Sequence, residues 1–242
     1  MIQIVFFLAF AAFAVFYGMS MKRKRSAGLG PAFHRFLERT GYRYLGLPDP
    51  SLATHAAHGA TVMANMTKGY QLEMVRDFHG APIHNHQGGQ STRDGWSSTF
   101  WWRLPLAAPP RVLLQVADRS LAGVGKVVKE AMSNTSRTWA PIYPVKVVLA
   151  DPELERRLVC FAQDADAAQR VLATPGLKER LLACTEVDLT VTRDAVTFSD
   201  PFAKNLNIGR SALGDVGKMM EMQIPVHDRI ADLLVVTARA TA

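Results

Sequence analysis

Ile2 to Met21 is one apolar run, broken only by Gln3, Tyr17, Gly18 and Ser20, and Lys22-Arg23-Lys24-Arg25 follow at once. As a helix rising ~1.5 Å per residue, about 20 apolar residues span a ~30 Å hydrocarbon core. Phe6, Phe7, Phe10, Phe13 and Phe16, with Val and Ile, cover every side of such a helix, where a soluble helix would keep a polar stripe. A cleaved signal peptide fits poorly. No basic residue precedes Phe6, and both copies of Ala-Phe-Ala, at 9–11 and 12–14, lie inside the run. The expectation is an uncleaved transmembrane anchor over residues 1–21. The Lys and Arg excess on its C-terminal flank places that flank in the cytoplasm, at the inner (plasma) membrane of a bacterium, with a short N-terminus outside. Tyr17 sits at an interfacial position, one turn before the basic cluster. The run has no G-x-x-x-G, so it carries no signal for helix dimerisation.

The net charge of +7 suggests a nucleic-acid binder until it is divided along the chain. Residues 1–45 carry seven bases (Lys22, Arg23, Lys24, Arg25, Arg35, Arg39, Arg43) against Glu38, a net of +6. The remaining residues carry 21 bases and 20 acids, a net of +1. A nucleic-acid protein spreads basic charge over a folded face, so nucleic acid is excluded as a partner. The expected partner is the lipid bilayer. Lys22, Arg23, Lys24 and Arg25 face the anionic cytoplasmic leaflet, each adding on the order of 1 kcal/mol. A second membrane protein is the other candidate partner.

Residues 22–45 read as a basic juxtamembrane linker and a short helix. Ser26 to Pro31 is the breaker, and Phe33, Phe36 and Leu37 line one side of a helix over 33–40 that Gly41 stops. That helix either lies on the membrane surface or docks on its own domain. Docking is favoured, because two turns bury little in a bilayer. Residues 46–242 read as a cytosolic α+β domain.

Within that domain the period becomes two from Gly69. Tyr70, Leu72, Met74 and Phe78 alternate with polar residues, as do Trp96, Phe100, Trp102 and Leu104 later. The Gly- and Asn-rich stretch from His79 to Ser91 separates them and reads as the turn of one long antiparallel hairpin. Arg111 to Val116 and Tyr143 to Leu149 add strands, and residues 119–132 have partial helical spacing. Asp151-Pro152-Glu153 is an N-cap, N1 and N2, giving way to a strand from Leu158 to Phe161. Asp164 caps a helix running to Leu172, and Thr174-Pro175 restarts one through Ala183. Val187 to Phe198 forms a hairpin around Arg193-Asp194. Pro225 opens a terminal helix that buries Val226, Ile230, Leu233 and Leu234. The fold class is therefore α+β: an N-terminal transmembrane helix, then an antiparallel-sheet domain with helices packed on it.

No motif fixes a reaction. Gly123-x-Gly125-Lys126 and Gly217-Lys218 lack the P-loop's first glycine, with Ser120 and Ala212 in its place. They also lack the hydroxyl after the lysine, where Val127 and Met219 stand. Neither G-x-S-x-G nor H-E-x-x-H occurs. The pairs Asp164/Asp166 and Glu153/Glu155 stand at helix starts, where acids serve caps and dipoles. Five of seven histidines, His55, His58, His79, His84 and His86, fall within 55–86. Imidazole suits zinc, yet their spacing matches no metal framework, and solvated loop histidines are the simpler account. Trp101 has strand parity with Ser97, Thr99 and Arg103. It is either covered by a helix or part of a binding patch with Arg103. Cys160 and Cys184 lie in apolar surroundings and read as buried thiols of a reducing compartment.

The block Asp-Pro-Glu-Leu-Glu-Arg-Arg-Leu-Val at 151–159, with Asp164, Arg170 to Leu172, Thr174-Pro175 and Lys178 to Leu182, resembles a known bacterial block. It occurs in membrane-anchored proteins grouped as a domain of unknown function. The likeness spans roughly residues 150–199. Leu154 and Leu158 stand where that block has aromatics, and Ala173 intervenes between Leu172 and Thr174. The resemblance implies an N-terminal anchor and a cytosolic domain, and no activity.

Taken together, the sequence points to a membrane-tethered interaction or scaffold domain, away from an enzyme, with no catalytic residue, cofactor or metal site. The alternative is a membrane-bound enzyme or metal-binding protein using the His-rich loops at 55–86.

Overall fold

In the computed structural model, the described residues are 34–45, 70–92, 95–120, 143–200, 205 and 216–242. The apolar run, Lys22 to Arg25, His55, His58 and residues 121–132 of the expected helical spacing lie outside them; 119 and 120 are helical.

Nine strands form one sheet: β1 (Arg43–Tyr44), β2 (Tyr70–Phe78), β3 (Ala81–Thr92), β4 (Gly95–Pro105), β5 (Leu114–Asp118), β6 (Val145–Val147), β7 (Leu158–Ala162), β8 (Asp188–Val191) and β9 (Ala195–Ser199). Their order is β1-β2-β3-β4-β9-β8-β5-β7-β6, and each neighbouring pair is antiparallel. Among the described residues, besides the helical pair at 119–120, five helices accompany them: α1 (34–40), α2 (Pro152–Arg157), α3 (Ala165–Leu172), α4 (Leu177–Ala183) and α5 (Val216–Thr241).

The expected fold class is corrected here. Among the described residues no helix is long and apolar enough to cross a membrane. α5, at 26 residues, has the length. It also carries Glu221, Asp228, Arg229, Asp232 and Arg239, so it buries one face and leaves charge on the other. What is described is a nine-stranded antiparallel sheet with helices, not a transmembrane helix leading a sheet domain.

Two registered rows explain the architecture. Tyr44, Met74, Asn85, Trp102, Phe198, Leu189, Val116, Cys160 and Val147 are successive cross-strand partners over all nine strands, and every one is buried. Shifted by one residue, Arg43, Val75, His84, Arg103, Thr197, Thr190, Gln115, Phe161 and Lys146 form the neighbouring row, and all are half-buried or exposed. The side-chain period of two thus gives one core face and one open face. Leu154, Val171, Leu177, Leu181, Ile230 and Leu234, from the four later helices, join Trp102, Phe198, Leu189, Val116, Cys160 and Val147 of the inner row in one core cluster.

Three local expectations change. The stretch 79–91 is not a turn. The reversal is only His79-Gly80, with φ of 56° and 80°, both in the left-handed region that a two-residue hairpin turn requires. Asp77 Oδ1 accepts from Gly80 N at 2.9 Å and closes it. Ala81 to Thr92 then forms a full strand between β2 and β4, so the hairpin is a three-stranded meander. Pro225 lies inside α5 rather than at its start. The ring takes an exposed position, and the buried residues that follow it offset the missing hydrogen bond. The hairpin β8–β9 inserts between β4 and β5. The connection over 106–113 therefore crosses its turn, donating from Leu106 N to Asp194 O at 2.9 Å and from Arg111 N to Thr241 O at 2.7 Å.

Other local expectations hold. Asp151 caps α2, its Oδ1 accepting from Glu153 N and Leu154 N at 2.9 and 3.1 Å. Asp164 caps α3 through Ala167 N at 3.0 Å. Gly41, at φ 70°, follows α1 directly. α1 docks on the sheet domain, with Phe36 and Leu37 buried. Cys160 and Cys184 are buried and free, and burial raises their thiol pKa values to about 12 and about 11.

Candidate functional site

The open sheet face gathers two features that lie apart in sequence. Glu73 and Val75 of β2, His84 and His86 of β3, and Trp101 and Arg103 of β4 share it by register. The His86 ring lies parallel to the Trp101 indole, centroids 5.0 Å apart at 6°. His86 Nδ1 stands 3.6 Å from Glu73 Oε1, too far for a hydrogen bond. Arg103 Nη2 donates to Asp194 Oδ2 at 2.5 Å across the end of the β8–β9 hairpin. The result is a polar face carrying one half-buried indole, flanked by an imidazole and a guanidinium. Such a surface can accept a partner's hydrogen bonds and stack against a planar group.

The sequence-singled histidines fare unequally. His84 and His86 lie side by side on a strand. His79 is exposed in the preceding turn. Among the described residues, no group of three His, Cys, Asp or Glu side chains could hold a metal ion. Trp101 is half-buried and its ring stacks on His86.

A groove of about 450 Å³ opens among α2, α3 and α4, walled by Leu149, Leu154, Leu172 and Pro175. Lys178 at its rim donates to Asp151 Oδ2 at 2.7 Å and lies 3.0 Å from Glu153 Oε2. Hydrogen bonding to the lysine is the main cause that holds the Asp151 carboxyl below its usual range, and the two acids hold Lys178 above its own. Asp151, Thr174-Pro175 and Lys178 belong to the block quoted for its resemblance. In the fold they form one wall, and the lysine's charge is spent internally.

The third cluster had no sequence signal beyond four separate residues. Arg76 on β2 points to the inner face, its side chain 3% exposed. Nη1 donates to Thr40 O at 2.9 Å and Asp228 Oδ1 at 2.6 Å, and Nη2 to His227 O at 2.9 Å. The guanidinium also covers the Tyr42 and Phe78 rings, 4.8 Å from each centroid. Beside it, His227 is wholly buried and ringed by Phe36, Tyr42 and Trp102 at 5.2, 5.2 and 5.3 Å, all edge-on. Trp102 Nε1–H donates to His227 Nδ1 at 3.0 Å. An indole nitrogen only donates, so the neutral imidazole carries its proton on Nε2. That Nε2, like Arg76 Nε, has no hydrogen-bond partner among the described residues. Burial, and then the Arg76 charge, push the His227 pKa down to about 3. Burial pushes the Tyr42 phenol well above its ordinary value.

No family model matches the chain, and no curated protein matches it. A search of solved structures finds similarity to the crystal structure of the mycobacterial trehalose monomycolate transport factor A, TtfA. The TM-score is 0.38 at 12% identity, covering 82% of this chain and 94% of that one. At that score the likeness carries no argument about fold or function.

Proposed function

We propose that this chain is a membrane-associated, non-catalytic interaction protein whose folded domain meets a protein partner at an anionic membrane surface. The observation that supports it is the division of the chain. An apolar run of 20 residues and a net charge of +6 are concentrated in residues 1–45, while the rest is nearly neutral. Apolar burial and basic attraction to anionic lipid are two cooperating signals, and two are what durable surface attachment needs. Confinement to a surface raises the effective concentration of any partner held there, so even a weak contact becomes productive. The open face around Trp101 and Arg103 is the surface offered for that contact.

Flotation with vesicles containing anionic phosphatidylglycerol tests the attachment. The full chain is expected to float with them, and a chain lacking residues 1–25 to stay in the dense fraction. Replacing Lys22, Arg23, Lys24 and Arg25 by alanine weakens retention most at low salt. A truncated chain that floats as well as the full one would sink the proposal. For the partner, crosslinking in membranes should recover a reproducible protein whose yield falls with Trp101→Ala. Recovery of no such protein counts against the interaction role.

A further inference from the structure

His227 is fully buried where a short segment at the sheet edge meets the central strand β4 and the helix α5. Residues 34–45 comprise α1, Tyr42 and β1. β1 is a two-residue edge strand that pairs with β2 alone. Phe36, Leu37, Thr40, Tyr42 and Tyr44 of this segment are buried, so apolar packing on the sheet domain holds it more than strand pairing does. Phe36 and Tyr42 lie against the His227 ring, and Arg76 binds Thr40 O. Leu45 N donates to Glu73 O at 2.8 Å, and Arg39 pairs with Glu221 at 3.7 Å on the surface. Trp102, by contrast, sits on β4 with strands on both sides, and α5 packs its apolar face along the sheet.

We propose that residues 34–45 are a releasable strap, latched over His227 while its Nδ1 accepts from Trp102 and unlatched when that nitrogen takes up a proton. The atoms dictate the outcome. Once Nδ1 is protonated, it faces the Trp102 N–H donor at 3.0 Å, and the uncharged Tyr42 hydroxyl at 3.3 Å is its neighbouring acceptor, which supplies no counter-charge. Among the described residues, no element packed on the ring supplies a compensating charge. β2 brings Arg76, whose positive charge opposes a second one. The strap brings Phe36 and the Tyr42 phenol, which burial keeps neutral, and β4 brings an indole. On α5 itself, Asp228 is already paired with Arg76. The imidazolium therefore has to reach water, and the strap is the layer whose departure admits it at least cost. This holds whether or not the N-terminal segment meets a bilayer, so it stands apart from the function proposed above.

Release frees 12 residues, which extended reach about 40 Å. The domain would then sit on a longer leash behind the residues that precede it. A folded-state value of about 3, against an ordinary one near 6.5 once exposed, sets the response. The released form gains population roughly 30-fold between pH 7.4 and 5.0 by proton linkage.

Hydrogen exchange of the full chain, followed by mass spectrometry with labelling times scaled for intrinsic rates, tests this. Peptides over 34–45 are expected to lose at least tenfold protection between pH 7.4 and 5.0, while those over β4 and 226–241 keep theirs. His227→Gln can still accept from Trp102 but does not titrate, and should leave strap protection flat over that range. The proposal is overturned if the strap is unchanged, if strap and core open together, or if His227→Gln responds as the parent does. Should that variant not fold, Phe36→Ala replaces it. Its strap should exchange at pH 7.4 nearly as fast as the parent's at pH 5.0, and parental protection there overturns the proposal.

Discussion

Arg76 shows how much one residue can decide. It lies in an alternating strand where position 76 must face inward, since Met74 does. A buried guanidinium needs partners for its donors, and two backbone carbonyls and Asp228 meet those of Nη1 and Nη2, leaving Nε as the unpartnered one among the described residues. Arg76→Ala leaves those acceptors facing a void and should cost about 3–5 kcal/mol in urea unfolding. His227 gives the fold its acid sensitivity. Its folded pKa lies below its unfolded one, so its share of stability is complete above about pH 6.5. That share drains as pH falls towards about 3, at up to ~1.4 kcal/mol per pH unit. Urea titrations at pH 7 and pH 5 should separate by that slope in the parent and much less in His227→Gln. Gly80 holds φ 80° with nothing near a built Cβ, so Gly80→Ala meets no clash. Its cost is backbone strain alone, expected near 1 kcal/mol by the same assay.

At the scale of elements, short segments obey their caps and the long ones obey the core. α2 is six residues, and a helix that short depends on its ends. Asp151→Ala removes two cap hydrogen bonds and the Lys178 partner together, and should lower stability by about 1–2 kcal/mol. α5 is the opposite case. It runs through Pro225 because Val226, Ile230, Leu233 and Leu234 are buried on one side, and that packing outweighs the lost Glu221 carbonyl partner. Pro225 is exposed, so Pro225→Ala restores the bond without disturbing the core. It should raise the melting temperature, by the equivalent of up to ~3 kcal/mol. An unchanged or lower value would mean that the proline's rigidity in the unfolded chain outweighs the bond.

Across the whole molecule the sheet separates two chemistries. The core between the inner row and the helices excludes water so fully that burial pushes the pKa values of Cys160 and Cys184 up to about 12 and about 11, and both thiols stay protonated. Neither Cys160 nor Cys184 should react with iodoacetamide until the domain unfolds, so labelling followed by mass measurement reads global opening. The outer row stays wet and polar, and it brings His84, His86, Trp101 and Arg103 onto one surface. From sequence, period-two alternation, the Asp151 and Asp164 caps and the β8–β9 hairpin were legible, because each depends on residues near in the chain. The Gly- and Asn-rich run over 79–91 misled, because flanking strands satisfy its backbone and composition alone cannot show that. The candidate face was half legible. Trp101 and Arg103 shared a parity, but the stacking of His86 on Trp101 depends on the β3–β4 register.

The sequence by itself determined where the charge and the apolar run fall, which faces alternate, and where the short helices start, since these are properties of neighbouring residues. Only the tertiary structure decided which strands adjoin, with β8–β9 set between β4 and β5. Only it brought Thr40, Arg76, Trp102 and His227 into one buried cluster. Those residues come from four separate elements. They meet because a guanidinium and an imidazole deprived of water must take their hydrogen bonds from whatever the fold carries to them.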